Sequence, residues 1–310
     1  MIPANDSQLT QAVLAEAART ADPRLRAILT AGIRHLHDFV RDAALTEAEF
    51  RQLCGLIARC GQLTTPSHNE VVLAAGSLGV SALVCMLNNR EATTANLMGP
   101  FWRQGSPAMA NGDSIVRSAT PGEPVRVDAW VCDAGGAAIA DAEVDVWQAS
   151  GEGYYENQDP AQADMNLRGK FVTDTEGHLW FRTVKPVGYP VPVSGPVGAL
   201  LRAQGRHNLR PAHIHFMIRK PGFKTQFSQL YSRDDPHLES DVQFGVTRTL
   251  VGEYVRSADG YTLQHHFTLE PGDDALPPAP ITGKAQGERP ELVVLRSGSD
   301  PAAAPAPPQP

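Results

Sequence analysis

The sequence predicts an α+β protein in which a helical N-terminal segment precedes a β-sandwich. Apolar residues recur at helical spacing through roughly the first 90 residues and then at a period of two from Pro124 onward. The change of period falls at residues 91–124, a stretch punctuated by Gly99-Pro100, Gly105, Pro107, Gly112 and Pro121-Gly122. At 310 residues the chain is long enough for one large domain or two modest ones.

In the helical half, LRAILTAGIRHLHDFV places Leu25, Ile28, Leu29, Ile33, Leu36 and Val40 on one stripe. Asp22-Pro23 supplies a start signal for that helix, with proline in the first turn. Thr46-Glu47-Ala48-Glu49 reads as a capping box ahead of Phe50, Leu53 and Ile57. A third helix is expected over Asn69–Asn89. His35 and His37, two apart on a helix, point to different sides and read as structural or surface residues.

In the β half, PVRVDAWV (124–131) and EVDVW (143–147) alternate, and HLWFRTV (178–184), AHIHFMI (212–218), FSQLYS (227–232) and YTLQHHFTL (261–269) are further strand candidates. Turns at Gly135-Gly136, Gly177, Asp259-Gly260 and Gly272-Asp273 separate them, a texture that suits a sandwich. The Pro/Ala-rich tail SGSDPAAAPAPPQP is expected to be disordered.

Hydrophobic residues make up 42% and charged residues 20% of the chain, the balance of a soluble globular protein. A net charge of −7 with no basic block argues against nucleic acid as the main partner. No apolar run approaches the roughly 20 residues of a bilayer span, so a membrane protein is not expected. The N-terminus lacks the basic-then-apolar order of a signal peptide. A cytoplasmic location is therefore expected, with Cys54, Cys60, Cys85 and Cys132 as reduced core thiols, none of them in a C-x-x-C pair.

The chemistry centres on RPAHIHFMIRK. On a strand, His213, His215 and Met217 share one face, while Ile214, Phe216 and Ile218 share the other and can pack between sheets. Taken alone, the pair is also compatible with two hydrogen-bonded histidines on a wet sheet face. Zinc would need a further ligand, for which His237, His265, His266 and Glu239 are available without diagnostic spacing. A ferrous facial triad would need a carboxylate, and the H-x-D/E spacing is absent. Ferric iron accepts phenolate oxygen. Tyrosine is scarce, six in all, yet Tyr154 and Tyr155 in GEGYYENQD and Tyr189 in VKPVGYPVP lie upstream of the pair.

The motifs VDVWQASGEGYY, VKPVGYPVP and GRHNLRPAHIHFMI, with LMGPFWRQGSP before them, resemble the intradiol ring-cleavage dioxygenases of the catechol and hydroxyquinol branch. The resemblance spans roughly residues 20–297. It implies a helical dimerisation domain with the start of a linker over residues 1–105, a mixed-topology β-sandwich catalytic domain over 106–297 and a tail over 298–310. It also implies one Fe(III) per subunit, held by Tyr155 (eight residues after Trp147), Tyr189, His213 and His215, with Tyr189 and His215 axial. Two phenolates offset much of the charge of a 3+ ion, and the cation in turn favours their ionised form. Tyr189 is implied as a base for a diol proton, Arg210 as a stabiliser of charge on the ring, and Gln229 as a hydrogen-bonding neighbour of the iron. From strand alternation alone Arg210, three before His213, falls on the opposite face.

The implied pocket draws on Leu73, Gly76, Leu97, Met98, Gly99, Pro100, Phe101, Val191, Pro192 and Gln243, with Phe244 nearby, mostly apolar as a flat ring requires. KPVGYPVPVSGPVGALL and SDVQFGV look most like hydroxyquinol 1,2-dioxygenases. The expected reaction cleaves 1,2,4-trihydroxybenzene with O2 between the adjacent hydroxylated carbons to a hydroxymuconate (maleylacetate). Gly76 stands where that subgroup often carries aspartate, and Gln243 is expected to replace part of the missing polar contact. The alternatives are catechol or chlorocatechol as substrate and, in another class, a non-catalytic metal-binding sandwich module. A homodimer through the N-terminal helices is implied, with a phospholipid sometimes held at that interface.

Overall fold

The computed structural model describes residues 2–89 and 95–296, so the Pro/Ala-rich tail lies outside the described residues. The chain divides into two compact units, Met1–Ala58 and Arg59–Pro310.

The first unit holds α1 (Asp6–Ala17), α2 (Pro23–Asp42) and most of α3 (Glu47–Gln62). The start signals read from the sequence are made. Asp22 accepts a hydrogen bond from the Leu25 N–H at 2.7 Å. Thr46 and Glu49 cap each other, with the Thr46 N–H donating to Glu49 Oε2 at 2.9 Å and the Glu49 N–H to Thr46 Oγ1 at 3.3 Å. α1 is tied to α2 by Arg41 Nε on Asp6 Oδ2 and by His37 Nδ1 against Thr10 Oγ1, both at 2.8 Å. His37 is thus structural and His35 exposed. The apolar stripe stays open, with Leu36 65% and Ile57 64% exposed.

In the second unit the single helix expected over Asn69–Asn89 is two, α4 (Glu70–Ser77) and α5 (Val80–Asn88), bent by 74°. Gly79 between them has φ +72°, a left-handed conformation that no residue of an α-helix adopts. Asn69 caps α4 instead of lying in it, its side chain accepting from the Val72 N–H. These helices and the Gly/Pro-rich stretch fall in the same compact unit as the sheets. Among the described residues no single helix is long and apolar enough to cross a membrane. All four cysteines are free, but only Cys60 is buried; Cys54 is exposed, so the expectation of core thiols holds for Cys60 alone.

The strands are β1 (Pro124–Asp133), β2 (Glu143–Gln148), β3 (Arg168–Val172), β4 (His178–Val184), β5 (Tyr189–Pro190), β6 (Leu209–Arg210), β7 (His213–Arg219), β8 (Gln226–Ser232), β9 (Val251–Gly252), β10 (Val255–Ser257) and β11 (Gly260–Leu269); α6 (Pro196–Ala203) lies between β5 and β6. They form one sheet ordered β10-β11-β1-β4, a second ordered β3-β2-β7-β8-β9, and the β5-β6 pair. β1–β11 and β8–β9 are parallel and the other pairs antiparallel, which makes the topology mixed. The core lies between the two large sheets. Val125, Val127, Ala129 and Val131 of β1 meet Val144 and Val146 of β2 and Ile214, Phe216 and Ile218 of β7 there. This is the alternation read from the sequence. β3 and the short strands were not read, because RGKFV buries one apolar side chain, Phe171, between Lys170 and an exposed Val172 and so shows no clean alternation.

Candidate metal centre

β7 is the middle strand of its sheet, and its core side is filled by Ile214, Phe216 and Ile218. His213 and His215 therefore project from the outer face, opposite Tyr231 and Gln229 of β8 and beside Trp147 of β2. That face is dry, unlike the wet sheet face with which the pair taken alone was also compatible: the two histidines are 1% and 0% exposed. Trp147 stacks flat on His215 with centroids 4.7 Å apart, and Phe101 covers Tyr155 at 4.4 Å. Met98, Trp102, Met217 and Ile281 complete this apolar cover.

Two loops bring the tyrosines. After β2 the chain turns at Gly153, with φ +84° and so little room that a Cβ would lie 3.2 Å from Tyr189 Cβ. This turn directs Tyr155 inward, and Gln158 Oε1 accepts its N–H. Tyr154 points elsewhere and donates from its hydroxyl to Pro290 O at 2.9 Å. Tyr189 sits in β5, opposite Arg210 of β6.

Four donor atoms converge. Tyr155 Oη lies 3.1 Å from Tyr189 Oη, 3.4 Å from His213 Nε2 and 2.9 Å from His215 Nε2; the two histidine Nε2 atoms are 3.0 Å apart, and Tyr189 Oη is 3.4 Å from His213 Nε2. Ligands on metal bonds of about 2 Å at angles of 90–120° stand about 2.8–3.5 Å apart, so the set has the spacing of a coordination shell. The electrostatics agree. His213 Nδ1 donates to Pro211 O at 2.6 Å, so its Nε2 carries a lone pair toward the cluster. Burial, with Arg210 adding to it, lowers His213 to about 3. Burial, His213 and Arg210 hold His215 well below the ordinary range as well. Both imidazoles are therefore neutral and free to act as ligands. Burial, with Tyr189 alongside, pushes the Tyr155 phenol well above its ordinary value, and burial raises Tyr189 against the opposing charge of Arg210. Only a strongly charged cation reverses that direction and makes them phenolates. The donor set fits a hard trivalent ion. Among the described residues no group of three or more His, Cys, Asp or Glu could hold a metal. His265 packs on Phe267 in the other sheet and His237 on His207, so neither completes a zinc site with the pair.

Arg210 is on the same side as the histidines. It belongs to β6, and Pro211-Ala212 separates it from β7, so the alternation of one ideal strand does not apply. Its Nη1 lies 3.4 Å from His213 Nε2. Nη2 donates to Gln229 Oε1 at 2.7 Å, Tyr231 Oη at 2.8 Å and Asp241 Oδ2 at 3.0 Å, while Nε donates to Asp241 Oδ1. Asp241, which also accepts the Gln243 and Gly245 N–H groups, keeps this buried cation paired. Gln229 is anchored from its other end, with Nε2 donating to Leu97 O at 2.8 Å. Asp241 and Tyr231 were missed in the sequence, since their contacts with Arg210 span 31 and 21 residues.

A recess opens on Tyr189 and Arg210. Of the expected pocket residues, Leu73, Pro100, Phe101, Val191, Pro192 and Gln243 line it, together with His68 and Asn69, which were not foreseen. Leu97, Met98 and Gly99 lie behind it: Leu97 holds Gln229, Met98 joins the apolar cover, and a Cβ on Gly99 would come within 3.1 Å of His215 Cε1. Phe244 does not line it; half exposed, it packs on the Arg206 guanidinium. Gly76 and Gln243 interlock, because a Cβ at Gly76 would overlap Gln243 Oε1. The Gln243 amide is held by Nε2 donating to Ser77 Oγ at 2.8 Å and to Leu73 O at 3.4 Å.

The chain matches a sequence family described as dioxygenase over residues 97–271 and one described as catechol dioxygenase N terminus over residues 22–96. It is 40% identical over 267 residues to the 6-chlorohydroxyquinol 1,2-dioxygenase of Cupriavidus pinatubonensis, covering 85% of this chain and 96% of that protein. It is 38% identical over 263 residues to the hydroxyquinol 1,2-dioxygenase of a Rhizobium species, covering 84% and 89%. Its structure superposes on the hydroxyquinol 1,2-dioxygenase of Pseudomonas putida with a TM-score of 0.77 at 34% identity, covering 86% of this chain and 99% of that one. Fold, donor cluster and relatedness agree, and the chain belongs to the intradiol ring-cleavage dioxygenases, in their catechol and hydroxyquinol branch.

Proposed function

We propose that the protein holds one Fe(III) per subunit through Tyr155, Tyr189, His213 and His215, and that it cleaves hydroxyquinol with O2 between the adjacent hydroxylated carbons to a hydroxymuconate. The convergence of two phenols and two neutral imidazoles, with Tyr155 Oη and His213 Nε2 each 2.9–3.4 Å from the other three donor atoms, under a recess bordered by Arg210, carries this reading. A ferric ion held by these four residues would supply Lewis acidity toward the diol oxygens. Tyr189 borders both the donor cluster and the recess, so its Oη is placed to take one diol proton. Arg210, held by Asp241, Gln229 and Tyr231, presents a fixed positive charge to the negative charge that develops on the ring. Leu73, Pro100, Phe101, Val191 and Pro192 give the flat ring apolar walls.

The choice of hydroxyquinol is supported by the two relatives named for hydroxyquinols at 38–40% identity. Turnover of hydroxyquinol, catechol and chlorocatechol by the iron-loaded protein tests it, with hydroxyquinol expected to show the highest kcat/KM. If hydroxyquinol is the poorest of the three, the substrate is a catechol. We also infer a homodimer through the N-terminal helices, a reading supported by the exposure of Leu25, Leu36, Phe39 and Val40 on α2.

A further inference from the structure

His68 borders the recess on a segment held from four directions. Its backbone exchanges hydrogen bonds with Thr65, the His68 N–H donating to Thr65 O at 3.3 Å and the Thr65 N–H to His68 O at 2.7 Å. In the turn between them, Pro66 O accepts the N–H groups of Thr282 and Gly283. Asn69, immediately after, caps α4. The side chain is held as well, with His68 Nε2 at 2.7 Å from Oε2 of Glu70. Glu70 is 1% exposed, and its Oε1 accepts the Val197 N–H from the first turn of α6 at 3.0 Å. Burial pushes the Glu70 carboxyl up, but the His68 and Val197 hydrogen bonds outweigh it and leave the group below its ordinary value. Glu70 is therefore a carboxylate and can only accept, so His68 Nε2 carries the hydrogen. Its Nδ1 remains, with no hydrogen-bond partner among the described residues and 28% of the side chain accessible. Of the other polar side chains of the recess, Arg210 is committed to Asp241, Gln229 and Tyr231, Gln243 Nε2 to Ser77 and Leu73, and Asn69 Oδ1 to Val72, which leaves Gln243 Oε1 and Asn69 Nδ2 beside the His68 nitrogen.

We propose that His68 is a specificity-determining residue: oriented by Glu70, it offers Nδ1 as an acceptor to a ring hydroxyl outside the ortho-diol. The proposal rests on the dioxygenase reading above and deepens it, since hydroxyquinol carries such a hydroxyl and catechol does not. An imidazole whose one nitrogen is bound to a buried carboxylate has a fixed tautomer and a fixed direction for the other. A neutral hydrogen bond of this kind discriminates by about tenfold.

The test is anaerobic titration of iron-loaded wild type, His68→Leu and His68→Asn with hydroxyquinol and with catechol, followed by steady-state kinetics in air. His68→Leu is expected to raise the dissociation constant and KM for hydroxyquinol by about tenfold, to leave those for catechol within about twofold, and to leave kcat for both nearly unchanged. His68→Asn, which keeps a polar atom near the Nδ1 position, recovers part of the loss. Equal weakening of both ligands makes His68 structural and overturns the proposal, as does an unchanged hydroxyquinol constant. Failure of the dioxygenase reading shows separately, in the wild-type arm, as no turnover of any ortho-diol.

Discussion

The interlock of Gly76 and Gln243 yields a prediction whose sign depends on the background. Gly76 lies within α4, so alanine suits its backbone and on propensity alone gains roughly 0.5–1 kcal/mol. The added Cβ, however, overlaps Gln243 Oε1 in a site where both residues are buried. Overpacking of this kind costs about 1–3 kcal/mol. Moving the amide aside also strains its 2.8 Å hydrogen bond to Ser77, worth about 0.5–1.5 kcal/mol. The steric term wins, and Gly76→Ala is expected to destabilise by about 1–3 kcal/mol. In a Gln243→Ala background the overlap is gone and only the propensity gain remains. There the same Gly76→Ala change stabilises by roughly 0.5–1 kcal/mol. Thermal melts of the four proteins in this cycle read the result at roughly 2–4 °C per kcal/mol for a unit of this size. KM for hydroxyquinol, measured on the same proteins, reports whether the recess reshapes with the fold. Effects of the same sign and size in both backgrounds would refute the interlock.

Two further predictions concern the donor cluster. Tyr155→Phe removes one of the four proposed ligands and is expected to weaken and shift the visible phenolate-to-iron absorption of the loaded protein, leaving the part that Tyr189 supplies, whereas Tyr154→Phe loses only a hydrogen bond to Pro290 O and keeps the band unchanged; a change in the second variant and not the first would shift the ligand register by one residue. The iron-free protein is expected to lose stability steadily as pH falls from about 6.5 toward 3, because His213 has its folded value lowered from 6.5 to about 3 and the unfolded chain takes up the proton first. The loss approaches about 5 kcal/mol for this group alone, urea unfolding at a series of pH values measures it, and a His213→Gln protein with the same acid sensitivity contradicts it.

The sequence determined a good deal of this protein by itself. The helix starts at Asp22 and Thr46 were legible because capping is local, a matter of three or four residues. The six long strands were legible from alternation, and alternation also placed Ile214, Phe216 and Ile218 in the core and His213 and His215 on one outer face. The four-residue donor set was legible only through the resemblance of VDVWQASGEGYY, VKPVGYPVP and RPAHIHFMI to a known family, and the structure brings Tyr155, Tyr189, His213 and His215 together. The break at Gly79 was harder to read, because its left-handed backbone answers to the packing of α4 and α5 and not to an apolar period that runs through both.

What the tertiary structure decided is set by contacts between residues far apart in the chain. The histidine face is dry because Phe101, Met98 and Ile281 cover it, and no property of RPAHIHFMIRK reports that cover. Arg210 reaches the donor cluster because it ends β6 and Pro211-Ala212 separates it from β7, which frees it from that strand's alternation. Asp241 and Tyr231 hold it there across gaps of 31 and 21 residues. Gln243 bonds Ser77, next to Gly76, across 166 positions, and His68 acquires a single free nitrogen only because Glu70 is buried against α6. Local pattern decides which way a side chain leaves its strand or helix. Which groups it then meets, and so whether an imidazole is a ligand, a neighbour or a reader of substrate, follows from closure of the fold around it.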